Sequence, residues 1–242
     1  VSEKGVEFYN NVINYCLENG ITPWVTVYHW DLPQVLQDRG GWTNREIVTW
    51  FEYFTTVCAE KFGDRVKHWM VLNEPMVFTG AGYFLGVHAP GNKGLKNFLP
   101  AIHHAVLCQA SGGRILRKLV SNATIGTTFS CSYITPIDKR KKNVLAAKKA
   151  DALLNRLFIE PSLGMGYPYE DAPVLKKMRR YIQLNDEENS VFDFDFIGKI
   201  TNFESTRANW GPFKKDIDVV WDLMTHDVSI LNYIIPNRYI IQ

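Results

Sequence analysis

Hydrophobic residues along the chain recur with two different spacings, and stretches of each kind alternate. Spacings of three and four residues predict helices at 3–18, 44–62, 98–119 and 143–159. Runs rich in β-branched and aromatic residues predict strands at 24–30, 68–73, 123–130 and 192–198. Asn19-Gly20 and Phe62-Gly63 supply the end signals of the first two helices.

Regular alternation of helices with apolar strands predicts an α/β fold with a parallel sheet covered by helices. Two architectures fit, a doubly wound sheet and a (β/α)8 TIM-type barrel. The sequence has neither a G-x-G-x-x-G motif nor a Walker loop after a strand, so the usual signal of a nucleotide-binding sheet is missing. Instead, His29-Trp30-Asp31 and Asn73-Glu74 end two of the strands. Barrels carry their chemistry at the carboxyl ends of strands, which favours the barrel.

Composition narrows the classes of partner. The 242 residues carry 27 basic and 25 acidic side chains, and the one basic run, at 139–142, has no aromatic residues within it, so we expect a solvated loop and no nucleic-acid partner. No apolar run is long enough for a membrane span, and nothing resembles a signal peptide. The four cysteines lack C-x-x-C spacing and are expected to be reduced packing residues. These features predict a cytoplasmic protein.

Four side chains at the strand ends are candidates for chemistry. Glu74 follows four consecutive apolar residues and is a candidate general acid, while the amide of Asn73 can donate to and accept from a substrate hydroxyl. His29 and Trp30 end the preceding strand, where a polar ring beside an aromatic face suits a sugar. These residues do not form a metal motif, and we expect neither a metal nor a cofactor.

Three other histidines have less specific surroundings. His103 and His104 lie among apolar residues of a predicted helix, so we expect both to pack in the core. His88 lies in the Gly/Pro-rich stretch GVHAPG and is a weaker candidate for the mouth of a pocket.

Longer motifs resemble one family. YHWDLPQVLQDRGGW at 28–42 and VLNEP at 71–75 are similar to the family 1 glycoside hydrolases, the retaining β-glucosidases and their relatives, which are (β/α)8 barrels. Further similar blocks follow in the family's order: GYFLGVHAPG at 82–91, NRLFIEPSLGMGYP at 155–168 and DFIG at 195–198.

The resemblance implies a role for each candidate residue. Glu74 would be the acid/base catalyst of a retaining β-glycosidase that hydrolyses β-glucosides or short oligosaccharides. Asn73 would contact the sugar hydroxyl beside the anomeric carbon, His29 would contact other ring hydroxyls, and Trp30 would shape the same subsite. The family's nucleophile belongs to a T-E-N-G motif, which does not occur in the 242 residues.

The resemblance covers residues 1–198, which we expect to form barrel strands three to six, about half a barrel. Residues 199–242 are an unassigned segment expected to pack on the same domain. Asn202 and Glu204 are further candidate substrate contacts, either because Asn202-Phe203 replaces the family's Asn-Tyr pair or because Asn202-Phe203-Glu204 matches its N-F-E-W block. The alternative to a hydrolase is a non-catalytic half-barrel that binds sugar or pairs with a second copy through its open edges.

Overall fold

A computed structural model describes residues 1–183, and the sheet in this part of the protein has three parallel strands. The strands are β1 (Trp24–Tyr28), β2 (His68–Asn73) and β3 (Thr124–Thr128), in the spatial order β1-β2-β3. In register, Trp24 pairs with His68, and His68 pairs in turn with Thr124. Because all three strands run the same way, their carboxyl ends meet at one edge of the sheet.

Helices connect and follow these strands. In chain order the α-helices are α1 (Glu3–Glu18), α2 (Gln34–Gln37), α3 (Ile47–Phe62), α4 (Pro75–Thr79), α5 (Leu95–Leu119), α6 (Lys141–Asp151) and α7 (Leu157–Ser162). Two π-helical turns extend α4 and join α6 to α7, at Gly80–Leu85 and Ala152–Arg156, and 3-10 segments form at Gly41–Thr43 and Pro173–Arg180. Within residues 1–183, no helix is both long enough and apolar enough to cross a membrane.

Local sequence explains where α1 begins and ends. The Ser2 hydroxyl accepts a hydrogen bond from the Gly5 amide at the start, which satisfies one of the free N–H groups of the first turn. At the other end, Gly20 has a φ of 70°, a left-handed conformation that glycine adopts at little cost.

Helices α3 and α5 bury apolar stripes against each other and the sheet. The buried residues of α3 recur at helical spacing: Ile47, Phe51, Thr55, Cys58, Ala59 and Phe62. Helix α5 is buried along most of its length, and its Gly112 lies where a side chain would meet Phe51 of α3 and Val71 of β2. The absence of a side chain at Gly112 therefore allows α5 to approach β2 closely.

The described elements agree with the predicted alternation, with differences at several ends. Strand β1 stops at Tyr28 and not at residue 30, because Trp30 has a φ of 72°, which a strand cannot contain. Helix α5 begins at Leu95, three residues before the predicted start, and the helix predicted at 143–159 is divided by the π turn at Ala152–Arg156. The predicted strand at 192–198 and the predicted segment 199–242 lie outside the described residues.

Candidate active site at the ends of two parallel strands

A hydrogen bond joins the residues that follow β1 to the end of β2. The indole Nε1–H of Trp30 donates to the backbone carbonyl of Asn73 at 2.9 Å. Asp31 supports the same turn, because its Oδ1 accepts from the backbone N–H of His29 at 3.3 Å. The structure therefore brings three of the predicted site residues, His29, Trp30 and Asn73, to neighbouring strand ends.

Glu74 lies between β2 and α4 in a left-handed backbone conformation, with φ 43° and ψ 63°. Its N–H donates to the carbonyl of Thr128 at 2.9 Å, and its own carbonyl accepts from the N–H of Val77 at 2.8 Å. Pro75 begins α4, a position where its fixed φ fits and its missing N–H is not needed. These contacts hold Glu74 in a conformation that costs a non-glycine residue about 1–2 kcal/mol.

Unusual backbone conformations are concentrated at this edge of the sheet. Among residues 1–183, three non-glycine residues have positive φ, namely Trp30, Glu74 and Asn122. Asn122 lies in a turn before β3, a common place for asparagine, whereas the other two follow the carboxyl ends of β1 and β2. Strained residues persist where the surrounding structure fixes them, and such places are often functional sites.

Two imidazole rings lie next to the Trp30 side chain. The centroid of the His29 ring lies 5.5 Å from that of Trp30 in an edge-on arrangement, and the His88 ring lies 5.7 Å away at a tilt of 45°. All three side chains are exposed. The arrangement offers an apolar face with polar groups at its margin, which is what the C–H face and hydroxyl rim of a sugar require.

The phenols behind this edge have structural surroundings. The Tyr28 hydroxyl accepts from the Trp42 indole at 3.1 Å, and the Tyr83 hydroxyl donates to Gln37 Oε1 at 2.6 Å. Burial raises the pKa of Tyr28 well above its usual range and raises the pKa of Tyr83 to about 12. Both phenols are therefore neutral at ordinary pH and act as hydrogen-bonding supports.

His103 and His104 are buried in α5, as their apolar neighbours predicted. His103 Nδ1 shares a hydrogen bond with the Tyr167 hydroxyl at 3.0 Å, and His104 Nδ1 donates to the carbonyl of Trp42 at 2.8 Å. Burial, together with the charges of His104 and Arg45, lowers the pKa of His103 to about 3. Burial also lowers the pKa of His104 to about 4, so both rings are neutral in the folded protein.

Two side chains near the site are absent from the set predicted from the sequence. The Thr127 hydroxyl lies 2.9 Å from the carbonyl of Leu72 and 3.3 Å from Oε1 of Gln109, a buried residue of α5. The sequence shows Gln109 only as an amide among the mostly apolar residues of α5. Thr127 gives no signal, because threonine is common in strands.

Two other predicted contacts, Asn202 and Glu204, lie outside the described residues. In the described part of the chain, no group of three or more histidine, cysteine or acidic side chains is placed to hold a metal ion.

Comparisons with known proteins identify relatives of this chain. The sequence model of glycosyl hydrolase family 1 matches residues 1–212. The chain is 40% identical over 202 residues to a 1,4-beta-D-glucan glucohydrolase of Thermotoga neapolitana, covering 82% of the chain and 47% of that protein. It is also 40% identical over 208 residues to Beta-glucosidase 42 of Arabidopsis thaliana, covering 82% of the chain and 42% of that relative.

A solved structure matches as well. The β-glucosidase from Thermotoga maritima in complex with deoxynojirimycin superposes with a TM-score of 0.73 at 38% identity, covering 83% of this chain and 44% of that one. The chain thus spans a little under half the length of these relatives. With the parallel sheet and its helices, the match confirms the predicted fold class, an incomplete (β/α)8 barrel.

Proposed function

Since this chain belongs to glycosyl hydrolase family 1, we propose that the protein containing it is a β-glucosidase and that Glu74 is its general acid/base. One observation carries the assignment. At the carboxyl edge of the sheet, Asn73 accepts a hydrogen bond from Trp30, just after β1, and Glu74 donates one to Thr128 of β3. Barrel enzymes place catalytic groups at this edge, and a carboxyl fixed there can transfer protons in a defined direction.

The proposed reaction proceeds in two steps with retention at the anomeric carbon. In the first, the Glu74 carboxyl protonates the glycosidic oxygen while a second carboxylate attacks the anomeric carbon and displaces the alcohol. In the second, the Glu74 carboxylate takes a proton from a water molecule whose oxygen attacks the anomeric carbon. The bond to the second carboxylate breaks, which releases the sugar and restores both groups. The second carboxylate must lie about 5–5.5 Å from the first. The family's T-E-N-G motif, whose glutamate is this second carboxylate, does not occur in the 242 residues.

The sugar contacts follow from the same strand ends. The Asn73 side chain and the His29 ring would hydrogen-bond sugar hydroxyls, and the exposed Trp30 ring would cover an apolar face of the sugar. Asn202 and Glu204 remain candidates for further hydroxyl contacts. The names of the relatives, a glucan glucohydrolase and several β-glucosidases, support a β-glucoside or short oligosaccharide as substrate.

The test compares leaving groups in the protein expressed from the complete reading frame that encodes these residues. Methyl β-glucoside needs an acid to release its alkoxide, whereas 2,4-dinitrophenyl β-glucoside does not. Glu74→Gln should therefore lower kcat/KM at least about 100-fold on the methyl glucoside. The same substitution should slow the first step, formation of the glycosyl–enzyme, much less with the dinitrophenyl glucoside. Glu60→Gln, on the exposed surface of α3, is the matched control and should behave like the wild type.

Three outcomes are informative. A selective loss in Glu74→Gln supports the assignment, and equal rates for Glu74→Gln and the wild type contradict it. Binding of glucose or deoxynojirimycin without hydrolysis of any β-glucoside would favour the alternative, a non-catalytic half-barrel. Pairing of open barrel edges with a second copy belongs to that alternative and stays untested; sedimentation of the 242-residue chain would test it. The cytoplasmic location also stays a prediction.

A further inference from the structure

The ladder between β2 and β3 contains an irregularity immediately before the proposed catalytic residues. Met70 pairs with Gly126, and Asn73 pairs with Thr128, so three residue steps on β2 face two steps on β3. The extra residue on β2 is a β-bulge at 71–72. Bulges often lie next to active sites, where they change the direction of a side chain.

A side chain of β3 reaches the backbone of β2 at this bulge. The carbonyl of Leu72, a fully buried residue, accepts from the Thr127 hydroxyl at 2.9 Å. This side-chain bond links β3 to β2 at the bulge, where the regular pairing of residues is interrupted. The regular ladder resumes one residue later, where the Glu74 N–H donates to Thr128.

A second contact orients the Thr127 hydroxyl. Ser162 Oγ donates its single proton to the carbonyl of Phe158 at 2.6 Å, and it therefore accepts from Nε2 of Gln109. That contact turns Oε1 of Gln109 toward Thr127, at 3.3 Å. Both groups facing the Thr127 hydroxyl are therefore acceptors, and the hydroxyl is held as a donor.

We propose that Thr127 is a positioning residue for Glu74, acting through its hydrogen bond to the bulge. Removal of the hydroxyl takes away this side-chain bond at the bulge and favours a regular ladder. A shift of one residue would reverse the faces on which Asn73 and Glu74 lie, because side chains alternate along a strand. Gln109 contributes to the same arrangement, because the oxygen of its buried amide faces the Thr127 hydroxyl from α5. This inference rests on the proposed acid/base role of Glu74.

The test uses Thr127→Val, which keeps the shape of the side chain and removes the hydroxyl, and Thr127→Ser, which keeps the hydroxyl. Thr127→Val should lower kcat on methyl β-glucoside about tenfold, the effect expected for one lost hydrogen bond, while KM changes less than about threefold. Its loss on 2,4-dinitrophenyl β-glucoside should be smaller, and Thr127→Ser should stay near the wild type. Thr56→Val is the matched control, because it removes a hydroxyl bond to Glu52 on α3.

A structural readout separates this inference from the proposed function. Hydrogen exchange at the Glu74 amide should be faster in Thr127→Val than in the wild type or Thr127→Ser, while amides of α3 keep their protection. This measurement is informative even if the protein hydrolyses no β-glucoside, a result that would overturn the proposed function alone. Unchanged Glu74 exchange together with unchanged leaving-group selectivity in Thr127→Val would overturn the inference. Should Thr127→Val not fold, Thr127→Ala replaces it in the same comparison.

Discussion

The close approach of α5 to β2 at Gly112 gives a stability prediction with a defined sign. A Cβ atom added at Gly112 would lie 2.8 Å from Cε1 of Phe51 and 2.8 Å from Cγ1 of Val71. Carbon atoms make favourable contact at about 3.5–4.0 Å, so Gly112→Ala must displace α3, α5 or β2. Val71 lies two residues before Asn73, so any displacement of β2 would move the strand that leads into the proposed site.

Two opposing effects determine how much Gly112→Ala changes the free energy of unfolding. Alanine stabilises a helix interior by about 1 kcal/mol relative to glycine. Overpacking a well-packed core costs about 1–3 kcal/mol, and two short contacts on different elements leave little room for relaxation. We expect Gly112→Ala to lower the free energy of unfolding by about 1 kcal/mol, measured by urea denaturation. The corresponding decrease in Tm is about 2–4 °C for a protein of this size.

Gly5→Ala in α1 is the matched control. A Cβ at Gly5 would lie 3.7 Å from Ser2 Cβ, which is an ordinary contact. Helix propensity alone should therefore set the change in stability, and Gly5→Ala should raise the free energy of unfolding. In a double-mutant cycle, Val71→Ala should lower the free energy of unfolding less in the Gly112→Ala protein than in the wild type. The reason is that it removes one of the two short contacts made by the new Cβ. A Gly112→Ala protein as stable as Gly5→Ala would refute the described packing of α5 on β2.

Three further predictions use other features of the described residues. Thr55 is fully buried and, within residues 1–183, its hydroxyl has no hydrogen-bond partner, so Thr55→Val should raise the free energy of unfolding by about 1 kcal/mol in urea. Because the pKa values of His103 and His104 fall to about 3 and 4 on folding, the unfolded chain binds their protons first as pH falls from 6.5. Stability should then decrease by up to about 1.4 kcal/mol per pH unit for each ring, and His104→Asn should make the urea-derived slope between pH 6.5 and 5 shallower; an unchanged slope would contradict this. Trp30→Phe removes the donor to the Asn73 carbonyl and should lower kcat/KM about tenfold on an aryl β-glucoside, whereas an unchanged kcat/KM would show that this bond does not position the site.

The sequence predicted the elements whose signals are local. The apolar run before Asn73 and the glycine after α1 each act within a few residues, and the structure has β2 and the end of α1 at those places. The division of the helix predicted at 143–159 coincides with a contact that is distant in sequence. Asn155 lies in the π turn and bonds the backbone N–H and carbonyl of Ser132, 23 residues away. Helical periodicity within the segment carries no signal of that contact.

The candidate site shows the same division between local and distant signals. The strand-end positions of His29 and Asn73 could be predicted, because polar groups after apolar strands are visible in the sequence. The left-handed conformation of Trp30 could not, since β-branched and aromatic residues continue up to it and its indole partner lies 43 residues away. The bulge opposite Thr127 depends on how β2 pairs with β3, so it could not be predicted from the sequence of either strand alone.

The most direct measurement of the central claim uses Glu74→Ala with 2,4-dinitrophenyl β-glucoside and added azide. Without its base, the glycosyl–enzyme intermediate should react slowly with water, but azide needs no proton removed and can attack the intermediate directly. If Glu74 is the acid/base residue, azide should restore turnover and the product should be β-glucosyl azide. No recovery, or formation of the α-azide, would contradict the assignment, and the α product would indicate that Glu74 belongs to the nucleophile's side of the sugar.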